Sequence, residues 1–293
     1  MSSLRSRQFS IVSHDNYPLY GYPILEKLKV INEFINRLKT DRDLEFLNIS
    51  ECNMTSKQIS NLCKSIENHP RITSVNFGDL EFPPGESEDM VNRVIDNVES
   101  IHALGKKTLC IGGDHFITLP LLRAVHKHRG TLALIQFDAH TDTYEESDKY
   151  DHGGMFHTAP KERLIEPGCS IQLGIRTAYD RDRHEFKVIP ADKLNDMTIS
   201  DIQSEVMECV GNMPIYLTFD IDCLDPAYAP GTGTPVAGGI SSDRALKMIR
   251  SLKGSNVVGA DIVEVAPAYD NAEITALAAA TIGLELIHLM GSA

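Results

Sequence analysis

The stretch TLALIQFDAHTD, from Thr131 to Asp142, leads from an apolar run directly into Asp138, His140 and Asp142. The run from Thr131 to Phe137 predicts a buried strand, and in a strand residues i, i+2 and i+4 point to the same side. We therefore expect the three polar side chains to converge. Carboxylate and imidazole are side chains that bind divalent metal ions.

A second stretch, from Ile215 to Asp222, repeats this arrangement, with Asp220 and Asp222 after a strand-like run. One carboxylate at the end of a strand is ordinary, but four carboxylates buried together repel each other and lose their hydration. A pair of divalent cations would supply the missing positive charge. The two stretches together predict a metal site with two ions.

From about residue 76 the chain alternates between strand-like and helix-like segments. Strands are predicted at Thr108 to Ile111, Thr131 to Phe137, Ser170 to Ile175, Ile215 to Phe219 and Val257 to Val265. Helices are predicted at Glu88 to Leu104, Leu119 to His128, Ser200 to Val210, Ser241 to Leu252 and Glu273 to Leu289. The alternation predicts an α/β fold with a parallel central sheet covered on both faces. In such sheets ligands bind beyond the carboxyl ends of the strands, where every candidate metal residue is expected to lie.

A further candidate ligand, His115, follows the strand that ends in Gly112 and Gly113. The predicted site then has six metal-binding side chains: His115, Asp138, His140, Asp142, Asp220 and Asp222. Two divalent ions balance the charge of the four carboxylates, and ions about 3.5 to 4 Å apart can share a hydroxide. Imidazole with mostly carboxylate oxygen favours Mn over Zn, so we expect two Mn ions per chain.

Composition narrows the class of protein only slightly. The chain has 293 residues, 42% of them hydrophobic, which is enough for a large α/β core. The net charge of −13 argues against nucleic acid as a partner and suits a cationic substrate. Six cysteines without CxxC spacing indicate reduced thiols, and neither an N-terminal signal nor an apolar run near 18 residues is evident. These features predict a cytoplasmic protein without a membrane partner.

Three motifs, taken in order, resemble those of the ureohydrolase family. They are Gly-Gly-Asp-His from Gly112, Asp-Ala-His-Thr-Asp from Asp138, and Thr-Phe-Asp-Ile-Asp-Cys-Leu-Asp-Pro-Ala-Tyr-Ala-Pro-Gly-Thr-Gly-Thr-Pro from Thr218. Within this family the chain is similar to the bacterial agmatinases from about Gly78 to the C-terminal helix. The resemblance implies a three-layer α/β/α arginase-type fold, two Mn ions, and hydrolysis of agmatine to putrescine and urea by a metal-bridging hydroxide. It also implies a homo-oligomer, a trimer or a hexamer.

The resemblance also implies roles for individual residues. The first metal would be held by His115, Asp138, Asp142 and Asp220, and the second by Asp138, His140, Asp220 and Asp222. His152, in the sequence Asp-His-Gly-Gly, matches the family's proton-transfer histidine. Glu264 matches the carboxylate that binds the guanidinium group.

His152 and Glu264 also suit the chemistry of urea formation on their own. A carboxylate at the end of an apolar strand, such as Glu264, can pair with the N–H donors of a guanidinium group. The leaving amine needs a proton, and His152 titrates in the right range within a loop flanked by glycines. His157 competes for this role by proximity alone.

Tyr144 bears on the choice of substrate. Arginases carry at this position an Asn that contacts the α-carboxylate of the amino acid, so the resemblance favours a decarboxylated substrate, agmatine. Other guanidino substrates of the same family stay open, because tail recognition depends on loops that the sequence does not place.

Residues 1–75 depart from the family pattern. The Gly-x-Pro-x-Asp-like turn and the Arg-x-Gly-Pro element that normally precede the first helix are absent from this segment. Instead, a pattern from Leu44 to Met54 recurs 28 residues later from Ile72 to Phe77, a spacing that resembles a leucine-rich repeat. The alternative is a strand-helix-strand segment at the edge of the sheet. We predict an atypical segment at 1–75 and a ureohydrolase catalytic domain at 76–293 whose sheet lacks the usual first strand.

Two functions from other classes compete with this prediction. A deacetylase-like hydrolase with one zinc ion would use an Asp-x-His pair and one later Asp. Asp142 and Asp222 argue against it, because one tetrahedral Zn does not need six ligands. The other competitor is a catalytically impaired binding protein in which the altered N-terminal segment serves a partner.

Overall fold

The computed structural model describes residues 8–10, 46–48, 64, 74–76, 78–145 and 147–291. The chain divides into two compact units, residues 1–105 and 106–293.

The first unit contains a sheet of three short parallel strands, β1 (Gln8–Ser10), β2 (Phe46–Asn48) and β3 (Ser74–Asn76). Leu47 of β2 lies opposite Val75 of β3, which is the 28-residue spacing of the sequence pattern. The rest of that pattern lies outside the described residues, so a leucine-rich-repeat domain stays a prediction. Helix α1 (Ser87–His102) also belongs to this unit, and its buried valines recur at helical spacing.

The second unit is built on a six-stranded sheet in which all neighbouring strands are parallel. Its strands are β4 (Thr108–Ile111), β5 (Ala133–Phe137), β6 (Ile171–Leu173), β7 (Lys187–Ile189), β8 (Ile215–Asp220) and β9 (Val257–Val263). Their order across the sheet is β4-β9-β8-β5-β6-β7. Within the described part of the chain, no strand pairs with the outer edge of β4. Five of the six strands were predicted from their apolar runs, and β7 was missed.

Helices alternate with these strands. They are α2 (Thr118–Arg129), α3 (Met155–Lys161), α4 (Ala191–Asp196), α5 (Ile199–Val210), α6 (Ser242–Ser251) and α7 (Ile274–Gly291). The Thr198 and Ser241 side chains accept backbone N–H groups at the starts of α5 and α6, which fixes where these helices begin. The sequence did not predict α3 and α4, because seven and six residues are too few to display a helical period.

Helices cover both faces of the sheet. On one face, α5, α6 and α7 enclose the main apolar core, in which the Phe137 and Phe219 rings stack with centroids 5.0 Å apart. On the other face α2 packs on β9, where Gly259 leaves room for Tyr216 and Val125. This arrangement is three-layered, and the predicted α/β/α fold with a parallel sheet is confirmed.

Helix α7 contradicts one expectation from composition. By length and composition alone its 18 residues could cross a membrane, so the statement that the sequence lacks such a run was wrong. In the structure Ile282 and Leu286 of α7 are buried in the core, and Glu285 pairs with Arg250 of α6. One side of α7 therefore packs on the core of this unit, whereas Leu277 on the same helix is exposed.

The chain order of the strands places a switch point between β5 and β8. The connection after β5 leads to β6 on one side, whereas the connection after β8 leads to β9 on the other. Loops that leave a parallel sheet in opposite directions separate at such a switch point and leave room for a ligand at the carboxyl ends of the strands. The candidate ligands follow β4, β5 and β8 at this edge of the sheet.

Candidate metal centre and active site

A first group of candidate ligands surrounds His115. Its Nδ1 atom lies 3.2 Å from Asp138 Oδ2, 3.0 Å from Asp142 Oδ2 and 3.2 Å from Asp220 Oδ2. All four residues are buried. The ligand atoms of His115, Asp138 and Asp220 lie close enough together to hold one ion.

A second group surrounds His140. Its Nδ1 atom lies 3.0 Å from Asp222 Oδ2 and 3.5 Å from Asp138 Oδ1. Asp138 therefore faces His115 with one carboxylate oxygen and His140 with the other. This is the position that a carboxylate bridging two ions would occupy, and the structure brings all six predicted side chains together.

The three side chains after β5 converge through a turn. We expected them to align by strand alternation, but β5 ends at Phe137 and Asp142 adopts a left-handed conformation with φ of 51°. Asp138 Oδ1 accepts the backbone N–H of His140, and Asp220 Oδ1 accepts that of Asp222 in the same way. A carboxylate that binds the N–H two residues ahead tightens the turn and lets the second side chain face the first.

The pKa values in the cluster are shifted because several carboxylates are buried close together. Burial and the Asp138 carboxylate raise the pKa of Asp142 to about 7, and they also raise the pKa values of Asp220 and Asp222. Burial alone would lower the pKa of His140, but the hydrogen bonds to Asp138 and Asp222 outweigh it and raise this pKa to about 11. Such shifts indicate a site with more negative charge than a buried environment accepts without added cations.

The orientation of His115 tests whether a metal ion fits this site. Its Nε2 lies 2.8 Å from Thr218 Oγ1, and the Thr218 hydroxyl donates to Asp261 Oδ1 at 2.5 Å. Because that proton is committed to Asp261, the Thr218 oxygen accepts from the Nε2–H of His115. In the neutral imidazole Nδ1 then carries the lone pair, and although it is buried it makes no hydrogen bond of good geometry with the carboxylates around it. A buried lone pair that faces three carboxylates fits a metal ion.

A glycine in the loop after β4 leaves room for a side chain of the turn that carries His115. A Cβ atom at Gly112 would lie 2.0 Å from Ile117 Cδ1, so a larger residue here would displace the Ile117 side chain. The Gly112 N–H donates to Ile262 of the neighbouring strand β9, so the loop stays on the sheet. The absence of a side chain therefore lets the chain turn from the end of β4 into the helical turn that carries His115.

The predicted active-site residues Glu264 and His152 lie together beside the cluster. Glu264 Oε1 accepts the backbone N–H of His115 at 2.6 Å and lies 3.2 Å from His152 Nδ1. His152 Nδ1 also lies 3.8 Å from the exposed Asp114 carboxylate. The hydrogen bond to Glu264 raises the pKa of His152 to about 9. Burial raises the pKa of Glu264, but the hydrogen bonds from His152 and from the His115 N–H hold it below its ordinary value.

Tyr144 and His157 occupy different places in the loop and helix that follow. The Tyr144 N–H donates to the Gly153 carbonyl, and its ring lies against Gly153, next to His152. Its side chain is 45% exposed, so it lies at the mouth of the site. His157, the competitor of His152, contacts Lys161 on the same helix instead.

Sequence reasoning missed a row of polar side chains beneath the ligands. Gln172, Gln136, Thr218 and Asp261 are register partners on β6, β5, β8 and β9, and all four are fully buried. Each interrupts an otherwise apolar strand, and that interruption is the signal that could have revealed them. Buried polar groups need hydrogen-bond partners, so a polar residue within a buried run marks a network.

Arg176 is a second feature that the sequence did not reveal. Its guanidinium group donates to the backbone carbonyls of five residues around the loop after β8: Gly174, Asp222, Cys223, Leu224 and Val236. The loop that carries Asp222 is therefore held from behind by one side chain. Because guanidinium donors lie in a fixed plane, this contact also fixes the orientation of the loop.

Comparison with known proteins agrees with this geometry. A sequence profile of the Arginase family matches residues 49–288. The agmatinase of Escherichia coli O1:K1 is 55% identical over 222 residues, which are 76% of this chain and 72% of that protein. A crystal structure of a hypothetical agmatinase from Burkholderia thailandensis superposes with a TM-score of 0.72 at 38% identity, over 84% of each chain. The proclavaminate amidino hydrolase of Streptomyces clavuligerus has a TM-score of 0.72 at 30% identity, over 86% of this chain and 93% of that one.

The fold and the site define a hydrolase class that works through a pair of metal ions. The profile match and the 55% identity place the chain within it: this protein belongs to the arginase family, whose members are ureohydrolases that act on guanidino C–N bonds. The family resemblance inferred from the three motifs is confirmed.

Proposed function

We propose that this enzyme is an agmatinase that hydrolyses agmatine to putrescine and urea with two Mn ions. The observation that carries the proposal is the convergence of two imidazoles and four carboxylates beside Glu264 and His152. The identity of 55% to the agmatinase of Escherichia coli supports agmatine as the substrate.

The two groups around His115 and His140 would hold one ion each. The first ion would be bound by His115, Asp138, Asp142 and Asp220, and the second by Asp138, His140, Asp220 and Asp222. Oxygen-rich ligands with imidazole support Mn. When bound, the ions supply positive charge and a nucleophile derived from water at neutral pH.

Glu264 would bind the guanidinium group of the substrate. Its Oε1 atom is occupied by the His115 N–H, whereas a Cβ atom at Gly233 would still lie 3.8 Å from Oε2. Gly233 therefore lies beside Oε2 without a side chain that would touch it. A carboxylate held in this way can pair with the planar N–H donors of guanidinium and place its central carbon beside the ligand cluster.

His152 would deliver the proton that the leaving amine needs. The substrate guanidinium would compete with His152 for Glu264, because both are cations that seek the same carboxylate. Binding of substrate would thus release the imidazole from Glu264 together with its proton. Because the hydrogen bond to Glu264 is what raises the pKa of His152, release would lower this pKa and let His152 give up the proton beside the scissile C–N bond. A general acid at that position can contribute about 10² to 10⁴-fold to the rate.

Fewer of the described residues bear on the tail of the substrate than on its guanidinium group. Tyr144 lies where a carboxylate-binding Asn would be needed, and the Asp114 carboxylate at the mouth adds negative charge. Both features support a substrate without an α-carboxylate. The similarity to an amidino hydrolase at 30% identity keeps another guanidino substrate as the second candidate.

A comparison of two substrates tests the assignment. We expect kcat/KM for agmatine to exceed that for arginine by at least roughly a hundredfold, because the arginine carboxylate would lie unpaired in an acidic mouth and each 1.4 kcal/mol is worth about tenfold. The measurement is urea release from both substrates with one preparation at saturating Mn. Glu264→Gln should weaken both substrates alike, because both carry the same guanidinium. Comparable efficiencies for the two substrates would exclude an agmatinase but not a ureohydrolase.

Metal content provides the second test. We expect elemental analysis of active protein dialysed against Mn to give about two Mn per chain, since the six ligands form two groups that share Asp138. Removal by a chelator should abolish urea release, and added Mn should restore it. One Zn per chain in active protein would instead support the deacetylase-like alternative.

The remaining assignments rest on the sequence and on the family resemblance. We propose that residues 76–293 form the catalytic domain, that residues 1–75 are an atypical segment, and that the enzyme is a cytoplasmic homo-oligomer. Urea release from agmatine by the full chain would exclude a catalytically impaired binding protein. Light scattering of the same sample gives the oligomeric state.

A further inference from the structure

Two buried glutamines connect the candidate metal centre to a histidine near the surface. Gln136 on β5 and Gln172 on β6 are register partners on neighbouring strands, and both are 0% exposed. Gln136 lies two residues before Asp138, which directly follows the end of β5. The amide of Gln136 donates to Asp138 Oδ2 at 2.8 Å, and that of Gln172 donates to Gln136 Oε1 at 2.6 Å. The outer end is His184, whose Nε2 lies 2.7 Å from Gln172 Oε1.

The hydrogen bonds run in series from His184 through Gln172 and Gln136 to Asp138, and backbone carbonyls fix the direction of each one. The Gln136 amide nitrogen also donates to the carbonyl of His140 at 3.2 Å, and the Gln172 amide nitrogen donates to that of Thr141 at 2.8 Å. A carbonyl only accepts, so the NH₂ group of each glutamine must face it, and neither amide can be flipped. Gln172 Oε1 then faces His184 Nε2, which must carry a proton. All donors therefore point from the surface towards Asp138.

The outer end of the series is also held in place. The His184 ring lies between the rings of Tyr179 and Phe186, with centroids 4.7 Å and 5.5 Å away. Two aromatic neighbours therefore contact the imidazole ring that donates its Nε2–H to Gln172. Both N–H donors of each glutamine are used, so the series leaves neither amide group free to rotate.

We propose that Gln136 and Gln172 are positioning residues that hold Asp138 in the orientation needed to bridge two metal ions, and that His184 fixes their outer end. The inference rests on the metal centre of the proposed function. A donor on Oδ2 fixes the plane of the Asp138 carboxylate, so that its two oxygens stay directed at the His115 and His140 groups. Partners behind a metal ligand commonly change metal affinity by about 10- to 100-fold.

The test is the Mn affinity of metal-depleted protein, measured by competition with a chelator of known affinity. Gln136→Met keeps the length of the side chain and removes both donors, and we expect it to weaken Mn binding by about 10- to 100-fold. Gln172→Met should have a smaller effect, because Gln136 keeps its bond to Asp138. Excess Mn should restore most of the turnover of either variant, which a lost catalytic group would not permit.

Gln203→Met is the matched control. Gln203 is a partly buried glutamine on α5 whose amide donates to the Ser251 carbonyl, so the same substitution removes a hydrogen bond outside the series. We expect this variant to bind Mn as the wild type does. Equal Mn affinity in Gln136→Met and wild type, or an equal loss in Gln203→Met, would overturn the proposal.

His184→Phe covers the case in which Gln136→Met does not fold. It keeps the contacts with Tyr179 and Phe186 but removes the N–H, and it should weaken Mn binding several-fold. The metal-free protein should also melt at a lower temperature, because the buried Gln172 Oε1 loses the hydrogen bond from His184. Unchanged Mn affinity in this variant would overturn the role of the series. A wild-type chain that binds no Mn would overturn the metal centre itself, which separates failure of the proposed function from failure of this inference.

Discussion

Asp138→Asn should remove both metal ions and lower kcat/KM for agmatine by on the order of a thousandfold or more. Asp138 is the carboxylate that faces both imidazoles, with Oδ2 3.2 Å from His115 Nδ1 and Oδ1 3.5 Å from His140 Nδ1. An uncharged amide with one oxygen cannot serve two cations. The measurement is Mn content by elemental analysis together with urea release from the same sample.

The stability of this variant should differ most from that of the wild type when Mn is present. Without metal, its melting temperature should fall below that of the wild type, because burial alone would raise the pKa of Asp138 but His115 and His140 outweigh it and lower this pKa, so that the Asp138 charge stabilises the fold. With Mn, the wild type should gain stability that the variant lacks, because ligand binding stabilises only the folded state. Asp243→Asn, in an exposed ion pair with Lys247 on α6, is the matched control and should leave Mn content unchanged. Two Mn ions in Asp138→Asn would contradict the bridging role.

The strands could be predicted from the sequence where an apolar run is also buried in the structure. Strands β5 and β8 are apolar runs whose ends carry acidic residues, and a parallel sheet necessarily brings the ends of such strands to one edge. The elements that were missed are short: β7, α3 and α4 have three, seven and six residues, too few to show a period.

The contacts between members of the polar row could not be predicted for a different reason. Gln136 and Gln172 are 36 residues apart, and only the register of β5 against β6 makes them neighbours. Register is set by tertiary packing, which one-dimensional spacing does not contain. The approach of Glu264 to His115 likewise depends on β4 and β9 being adjacent. The two residues are 149 positions apart in the chain, but they follow neighbouring strands.

His152→Asn should lower kcat by about 10² to 10⁴-fold while two Mn ions stay bound, because the imidazole moves a proton and is not a ligand. Asn keeps a similar size and a hydrogen-bond donor for Glu264 but cannot transfer a proton near neutral pH. Turnover is measured as urea release at saturating agmatine, and metal content in the same sample. His157→Asn is the matched control, since His157 contacts Lys161 and not Glu264. Loss of Mn in His152→Asn would show that the residue has a different role.

The pH dependence of the same variant separates proton transfer from a structural role. The hydrogen bond to Glu264 raises the pKa of His152 to about 9, so the free enzyme keeps this proton through neutral pH and loses it as the pH rises through about 9. The pairing of His152 with Glu264 therefore stabilises the fold fully below the ordinary pKa of 6.5, and this stabilisation is lost as the pH rises towards 9. Its contribution to the free energy of unfolding is small, because the His152 side chain is 44% exposed.

For catalysis, kcat/KM should fall on the alkaline side as the general acid His152 loses its proton, and His152→Asn should lack that alkaline limb. Glu264→Gln should move the limb to lower pH, because it removes the charge that raises the pKa. An alkaline limb that persists in His152→Asn would assign the titration to another group.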